Sequence, residues 1–210
     1  MNNLPILYSF IRCPYAIRAR MALVEANINC ILREVNLKNK PPSLLQISPK
    51  GTVPVLYFND GTVIEESLEI IYYALEQQSS STEKKQIAAM LHSNDNDFAK
   101  LLKAYKYPEK HPNSCPISCR DQIEEKFLSK YEQMLGGRLF LYGNKKSILD
   151  IAILPFIRQF SIVDPEWFFN SQYHNIISWL KMFTDSQDFK NIVMAKHQPW
   201  DKSSTQVYLL

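Results

Sequence analysis

Apolar and polar positions change rhythm along this chain, and each change marks an element. Leu4 to Tyr8 is a short apolar run with the character of a strand. From Pro14 to about Ala26 the rhythm becomes helical, with Ile17, Met21 and Val24 recurring on one side and Arg18, Arg20 and Glu25 on others. Cys30 to Val35 reads as a second strand, so the opening is a βαβ unit. After the Lys- and Pro-rich loop Lys38-Asn39-Lys40-Pro41-Pro42 comes a short helical turn around Ser43 to Ile47, then a strand within Gly51 to Phe58. Asn59-Asp60-Gly61 is a hairpin turn into Thr62-Val63-Ile64, which predicts an antiparallel pair. Glu65-Glu66-Ser67 then starts a helix whose apolar side is Leu68, Ile71 and Leu75.

The resulting order, β-α-β-α-β-β-α, fits a thioredoxin-like α/β sandwich over residues 1–78. Gln77 to Thr82 is polar, and residues 79–82 are expected to form a linker. Beyond it the pattern is purely helical, so residues 83–210 are expected to be an all-α domain. One helix spans about Glu83 to Tyr105, with Ser80 and Glu83 at capping-box spacing. Tyr107 to Ser118, with three prolines, reads as an irregular loop, and a helix from about Asp121 to Leu135 stops at Gly136-Gly137. Ser147 and Asp150 have capping-box spacing before the apolar stretch Ile148 to Phe160, in which Pro155 requires a kink or a packing reason. Asp164-Pro165 makes a turn, the last helices lie near Gln172 to Thr184 and Gln187 to Ala195, and a tail begins at Lys196.

Composition narrows the function classes. Charged residues are 21% of the chain and hydrophobic ones 46%, the balance of a globular protein. With 24 Lys+Arg against 21 Asp+Glu the formal charge is +3, and no dense basic block accompanies it, so nucleic acid is not an expected partner. No run of apolar residues is long enough to span a bilayer and no leader pattern opens the chain, so a membrane partner is not expected either. Four cysteines in a chain of 210 residues do not make a disulfide scaffold, and a reducing cytoplasmic setting is the simplest expectation.

The candidate chemistry begins at Cys13-Pro14-Tyr15-Ala16. A thiol at a helix N-terminus faces N–H groups without intrahelical partners and the positive end of the macrodipole, which predicts a lowered pKa. Pro14 suits the first helical position, where its missing N–H is not needed. Taken alone, such a cysteine is more often structural than reactive. Val53-Pro54 stands at a strand entrance as an edge proline or a cis peptide; in the cis form Val53 would offer its backbone to a ligand beside Cys13. Glu66 and Ser67 either cap the next helix or supply polar groups to a ligand's amino-acid end. Lys40 is either a solvated loop lysine or within reach of a carboxylate.

These features, in this order, resemble the glutathione transferase superfamily and most closely its omega class. The likeness rests on Tyr8-Ser9-Phe10-Ile11-Arg12-Cys13-Pro14-Tyr15-Ala16, Leu37 to Pro41, Val53-Pro54-Val55-Leu56, Glu66-Ser67 and the Ser147 to Asp150 box. It is specific in the thioredoxin-like half and architectural beyond it. It implies that Cys13 is the catalytic thiol and that glutathione is the co-substrate. Val53 and Pro54 would hold it through the Val53 backbone, Glu66 and Ser67 at its γ-glutamyl end, and Lys40 near its glycyl carboxylate. Tyr15, where the omega pattern has Phe, would line the thiol. The helical domain would contribute a pocket for a small electrophilic or disulfide substrate, with Phe98, Tyr105 and Trp200 as candidates. A homodimer is what the family implies.

Ala16 stands where a dithiol enzyme carries its second cysteine, so the expected chemistry is a monothiol one through a Cys13–glutathione mixed disulfide, of the thiol transferase or dehydroascorbate reductase type. Two alternatives remain open: conjugation with a glutathione thiol activated by Tyr8 or Ser9, and a non-catalytic binding or regulatory module. Cys30 reads as a core residue. Cys115 and Cys119, with His111 nearby, fall short of a zinc set, and no metal is expected.

Overall fold

The computed structural model describes residues 4–75, 81–201 and 208–209. Two compact units emerge: residues 1–77 with 185–210, and residues 78–184. Residues 79–80 of the expected linker, and with Ser80 the expected box, fall outside the described residues, whereas Ser81 and Thr82, expected in the linker, already belong to a helix.

In the first unit β1 (Ile6–Ser9), α1 (Pro14–Glu25), β2 (Ile31–Glu34), α2 (Pro42–Ile47), β3 (Val55–Tyr57), β4 (Val63–Ile64) and α3 (Ser67–Leu75) follow the expected order. β1 pairs parallel with β2 and antiparallel with β3, which pairs antiparallel with β4. The hairpin turns where Asn59-Asp60-Gly61 predicts: Gly61 has φ +91° and the Asp60 carboxylate accepts the Thr62 N–H at 2.8 Å. Strand alternation divides the core in two. Leu7, Leu32 and Leu56 lie in register across the sheet and pack with Ala19 and Leu23 of α1 and Ile70 of α3. Tyr8, Val35 and Val55 face the other way, against Leu44 of α2. The result is a sheet covered on both faces, the thioredoxin-like sandwich.

Two features depart from the helical pattern of α1. Arg18 and Arg20, placed by periodicity outside the apolar side, are 2% and 0% exposed. The reason is that α1 is covered by the sheet, by α3 and by the π-helical turn Phe189–Val193, so more than one of its faces is interior. Each of the three Arg20 nitrogens has a partner: Nε donates to Ser9 Oγ at 2.8 Å, Nη1 to the Val193 carbonyl at 3.2 Å, and Nη2 pairs with the Glu34 carboxylate. The other Glu34 oxygen accepts the Ile11 N–H at 2.8 Å. Burial lowers the Arg20 pKa, and Glu34 opposes that shift.

The second departure is the C-terminal segment. Residues 185–210, assigned to the helical domain by sequence, group with the first unit. Besides the Val193 carbonyl, the Trp200 N–H donates to the Glu34 carbonyl at 2.8 Å, and β5 (Tyr208–Leu209) pairs antiparallel with β2. The sheet order is therefore β4-β3-β1-β2-β5.

The second unit is helical. α4 (Ser81–Ser93), a π-helical turn Asn94–Phe98 and α5 (Ala99–Lys106) form one continuous run, as expected for a single long helix. α6 (Pro116–Ile123), a π-helical turn Glu124–Leu128 and α7 (Ser129–Leu135) form a second. This run starts earlier than the Asp121 expected, because Cys115 is a non-helical cap and Pro116 fits the first helical position. α8 (Ile148–Val163) continues helical through the buried Pro155, and the short α9 (Pro165–Phe169) replaces the expected turn. α10 (His174–Thr184) closes the unit. The Ser147–Asp150 capping box is present. Asp150, fully buried, also accepts the Leu141 N–H at 2.9 Å and the Trp179 indole N–H at 3.0 Å, and burial raises its pKa against these bonds. Among the described residues, no helix is long and apolar enough to cross a membrane.

Arg20→Met leaves Glu34 buried without its counter-charge, a change that costs about 3–5 kcal/mol in comparable sites. A urea titration is expected to show a correspondingly lower unfolding midpoint. An unfolding free energy within about 0.5 kcal/mol of the parent's would show that the ion pair is dispensable.

Candidate functional site

Cys13 caps α1 in an extended conformation (φ −86°, ψ 119°), with Pro14 in the first turn, and its N–H donates to the Phe10 carbonyl at 2.9 Å. The thiol is half-buried, and Sγ lies 3.7 Å from the Val53 carbonyl oxygen as donor to acceptor. The Val53-Pro54 peptide is cis, and Pro54 is buried beside it. The strand entrance and the helix N-terminus thus meet at one point, as the sequence predicts for these residues.

The electrostatics at that point differ from expectation. Burial raises the Cys13 pKa above the ordinary thiol value, and it outweighs the Ala16 and Tyr15 backbone N–H groups and the Arg18 charge, all of which pull downward. The helix N-terminus favours the thiolate, but desolvation of the anion is the larger effect in the unliganded protein.

Ser67 opens α3, is 4% exposed, and its Oγ accepts from Arg18 Nε at 2.9 Å. Arg18 lies with its guanidinium carbon 4.9 Å from the centre of the Tyr15 ring. Cys13, Tyr15, Arg18 and Ser67 therefore form a connected group on α1 and α3. Glu66 stands next to Ser67 on the outer side, with Oε1 3.2 Å from Lys50 Nζ; Lys50 also reaches Glu65 at 3.6 Å. Lys40 is half-buried over Gly51: a Cβ built at Gly51 would lie 3.2 Å from Lys40 Nζ and 2.9 Å from Leu45 Cδ2. Gly51, at φ +59°, lets the lysine lie down on the backbone.

Tyr8 and Ser9 are occupied elsewhere. Tyr8 is 1% exposed, its hydroxyl donating to Ser43 Oγ at 3.0 Å and accepting from Arg33. Ser9 is fully buried under Arg20. Of the aromatic candidates, Phe98 is enclosed by Phe127, Phe156 and Phe160, and Tyr105 packs on Phe160. Trp200 stacks on Arg33, 4.0 Å from the guanidinium carbon, and edge-on to Tyr8. These are packing roles, and periodicity alone does not separate them from pocket lining. Cys30 is buried, with its pKa pushed up to about 12 by desolvation. Cys115 is exposed and Cys119 buried, and the described residues contain no group of three or more His, Cys, Asp or Glu placed to hold a metal.

Sequence reasoning missed Arg18, Lys50 and Gly51. The available signals were a second arginine inside an otherwise apolar helix and a glycine between the Lys40 loop and β3.

Residues 7–83 match the model of the glutathione S-transferase N-terminal domain family. Over these residues the chain is similar to that family. Mouse (Mus musculus) glutathione S-transferase omega-1 is 27% identical over 167 residues, covering 75% of this chain and 68% of the mouse protein. Among solved structures, a Tau class glutathione S-transferase from mango (Mangifera indica) superposes with a TM-score of 0.77 at 23% identity, covering 93% of this chain and 94% of the mango chain. A glutathione transferase family member from Pseudomonas fluorescens Pf-5, described with two glutathione bound, gives a TM-score of 0.73 at 19% identity, covering 91% and 93%. The chain has the glutathione transferase fold, a thioredoxin-like unit with a helical unit, and its sequence resembles the omega class.

A thiol whose pKa is raised is mostly protonated at neutral pH, and its thiolate fraction grows as pH rises. Iodoacetamide alkylation of Cys13 in the ligand-free protein is therefore expected to keep accelerating beyond pH 9. Peptide mass spectrometry showing a plateau by pH 8 would contradict the dominance of burial.

Proposed function

We propose that this protein is a glutathione-dependent monothiol transferase acting through Cys13. The observation that carries the reading is the half-buried thiol at the start of α1, facing the Val53 carbonyl, with no second cysteine at Ala16. The similarity to omega-1 and to a structure described with glutathione bound supports the choice of ligand.

In the first step the Cys13 thiolate attacks the glutathione sulfur of a glutathionylated substrate. The Cys13–glutathione disulfide forms, the original disulfide breaks, and the substrate leaves as a thiolate that takes up a proton. In the second step the thiolate of another glutathione attacks the bound glutathione sulfur. Glutathione disulfide leaves and the Cys13 thiolate returns. A thiolate of high pKa is scarce but intrinsically more nucleophilic, so the burial that limits its fraction also sharpens its attack.

In this reading the Val53 backbone pairs with the cysteinyl part of glutathione and Pro54 shapes that contact. Ser67 and Glu66 meet the γ-glutamyl end, Lys40 approaches the glycyl carboxylate, and Tyr15 lines the thiol. The burial and hydrogen bonds of Tyr8 and Ser9 disfavour conjugation with a glutathione thiol activated by either hydroxyl. A small disulfide or electrophile as second substrate, a homodimer and a cytoplasmic setting belong to the same proposal.

Incubation with glutathione disulfide followed by peptide mass spectrometry is expected to add one glutathione to Cys13. Cys13→Ser is expected to reduce thiol-transfer turnover at least 100-fold, since the covalent step is lost. Turnover retained in that variant would overturn the mechanism, and a stable adduct without turnover would favour a binding module.

A further inference from the structure

We propose that Cys115 and Cys119 form a second redox site, a dithiol in the first turn of α6 that a small disulfide such as glutathione disulfide converts to an intramolecular bridge. The site lies wholly within the second unit and uses no residue of the Cys13 site, so it stands independently of the function proposed above.

Cys115 is the non-helical cap of α6 (φ −77°, ψ 122°), with Pro116 in the first turn and Cys119 one turn further on. The Cys119 N–H donates to the Cys115 carbonyl at 3.0 Å and closes that turn. Four residues at the helical rise of about 1.5 Å put the two Cα atoms about 6 Å apart, within the range of about 4.4–6.8 Å that disulfides span. The directions agree with the distance. A side chain at the cap position reaches over the first turn, and the Cα–Cβ bonds of a helix tilt toward its N-terminus, so Cys119 leans toward Cys115. The Cys115 side chain makes no capping hydrogen bond that the bridge would have to break.

The two thiols differ in access, which gives them different roles. Cys115 is exposed, whereas Cys119 is 5% exposed. A molecule as bulky as glutathione disulfide therefore meets Cys115 and is kept from Cys119, while Cys119 needs to reach only its neighbour. Burial raises the Cys119 pKa, and a Cys115 thiolate raises it further, which accords with two sulfurs lying in each other's field. Once Cys115 is held in a mixed disulfide its charge is gone, and that second effect on Cys119 is lifted.

In the first step the Cys115 thiolate attacks one sulfur of glutathione disulfide. The Cys115–glutathione bond forms, the bond between the two glutathiones breaks, and one glutathione leaves as a thiolate that takes up a proton. In the second step Cys119, having lost its proton to solvent, attacks the Cys115 sulfur. The Cys115–Cys119 bond forms, the Cys115–glutathione bond breaks, and the second glutathione leaves as a thiolate and is protonated. Two protein thiols are oxidised and one glutathione disulfide is reduced to two glutathiones. The reaction proposed for Cys13 releases this same oxidant, but the chemistry at α6 does not need that source.

The full chain, reduced and then incubated with millimolar glutathione disulfide, is trapped over time with N-ethylmaleimide and digested with trypsin without reduction. Cleavage after Lys110 and Arg120 isolates residues 111–120, which hold both cysteines and neither Cys13 nor Cys30. Mass spectrometry is expected to show a glutathione adduct on this peptide that rises and then gives way to an unlabelled form lighter by two hydrogens. In Cys119→Ser the adduct on Cys115 is expected to accumulate. In Cys115→Ser, modification of Cys119 is expected to be at least about 10-fold slower than that of Cys115 in the parent. Circular dichroism reports folding.

A parent peptide that keeps both maleimide labels would overturn the proposal, as would a Cys115 adduct that persists in the parent as it does in Cys119→Ser. A covalent dimer through Cys115 on a non-reducing gel, in place of the bridged peptide, would overturn it too. If Cys119→Ser does not fold, the time course of the parent decides alone: a transient adduct supports the bridge and a lasting one excludes it. Cys13 is read from a different peptide. Its failure to take up glutathione would count against the function proposed above and leave the result at α6 standing.

Discussion

The buried Arg20–Glu34 ion pair is the contact on which the arrangement of the first unit depends. Glu34 ends β2, Arg20 belongs to α1, and together they hold the backbone of Ile11, the hydroxyl of Ser9 and the carbonyl of Val193. Two opposite charges taken out of water contribute little net stability unless their remaining donors and acceptors are all used. Here those valences go to the loop that leads into Cys13 and to the returning C-terminal segment. The pair therefore defines geometry more than it adds stability, and the position of the thiol is one of the coordinates it sets.

At the thiol, two opposing physical effects are resolved by magnitude. The N-terminus of α1 offers oriented N–H groups and the positive end of a dipole, which favour an anion by a modest amount that falls off within a turn. Removing the thiol from water disfavours that anion and acts without regard to direction, and burial is the larger effect. The site is thus in reserve without ligand. The Val53 carbonyl, within reach of Sγ, suits the protonated thiol, because S–H can donate to it and S⁻ cannot.

Much of this was legible in the sequence, for local reasons. The Asn59-Asp60-Gly61 turn, the Cys13-Pro14 helix start and the Ser147 to Asp150 box are short-range chemistry that the chain states directly. The convergence of Cys13 with Val53 followed from the order of elements, since a βαβ unit followed by a strand entrance brings those ends together. What stayed hidden depends on burial by distant segments. Arg18 and Arg20 read only as positions off the apolar side of α1 because nothing nearby in sequence announces α3 or the Phe189–Val193 turn as their cover. Trp200 and Phe98 read as possible pocket aromatics because an apolar ring looks the same in sequence whether it lines a cavity or fills one. Cys115-Pro116 repeats the pattern of Cys13-Pro14, yet three prolines around it suggested a loop where the structure starts a helix.

The return of the C-terminal segment also sets an order on biosynthesis. The strands and helices that form the first unit's sheet are made early, but the Val193 carbonyl that satisfies Arg20 and the strand that covers the edge of β2 are made after the whole helical unit. A nascent chain at residue 77 therefore carries a buried-type arginine lacking one acceptor and a sheet with an open edge. On the ribosome the thioredoxin-like unit therefore lacks these contacts until residues 185–210 have been translated, after the whole of the helical unit.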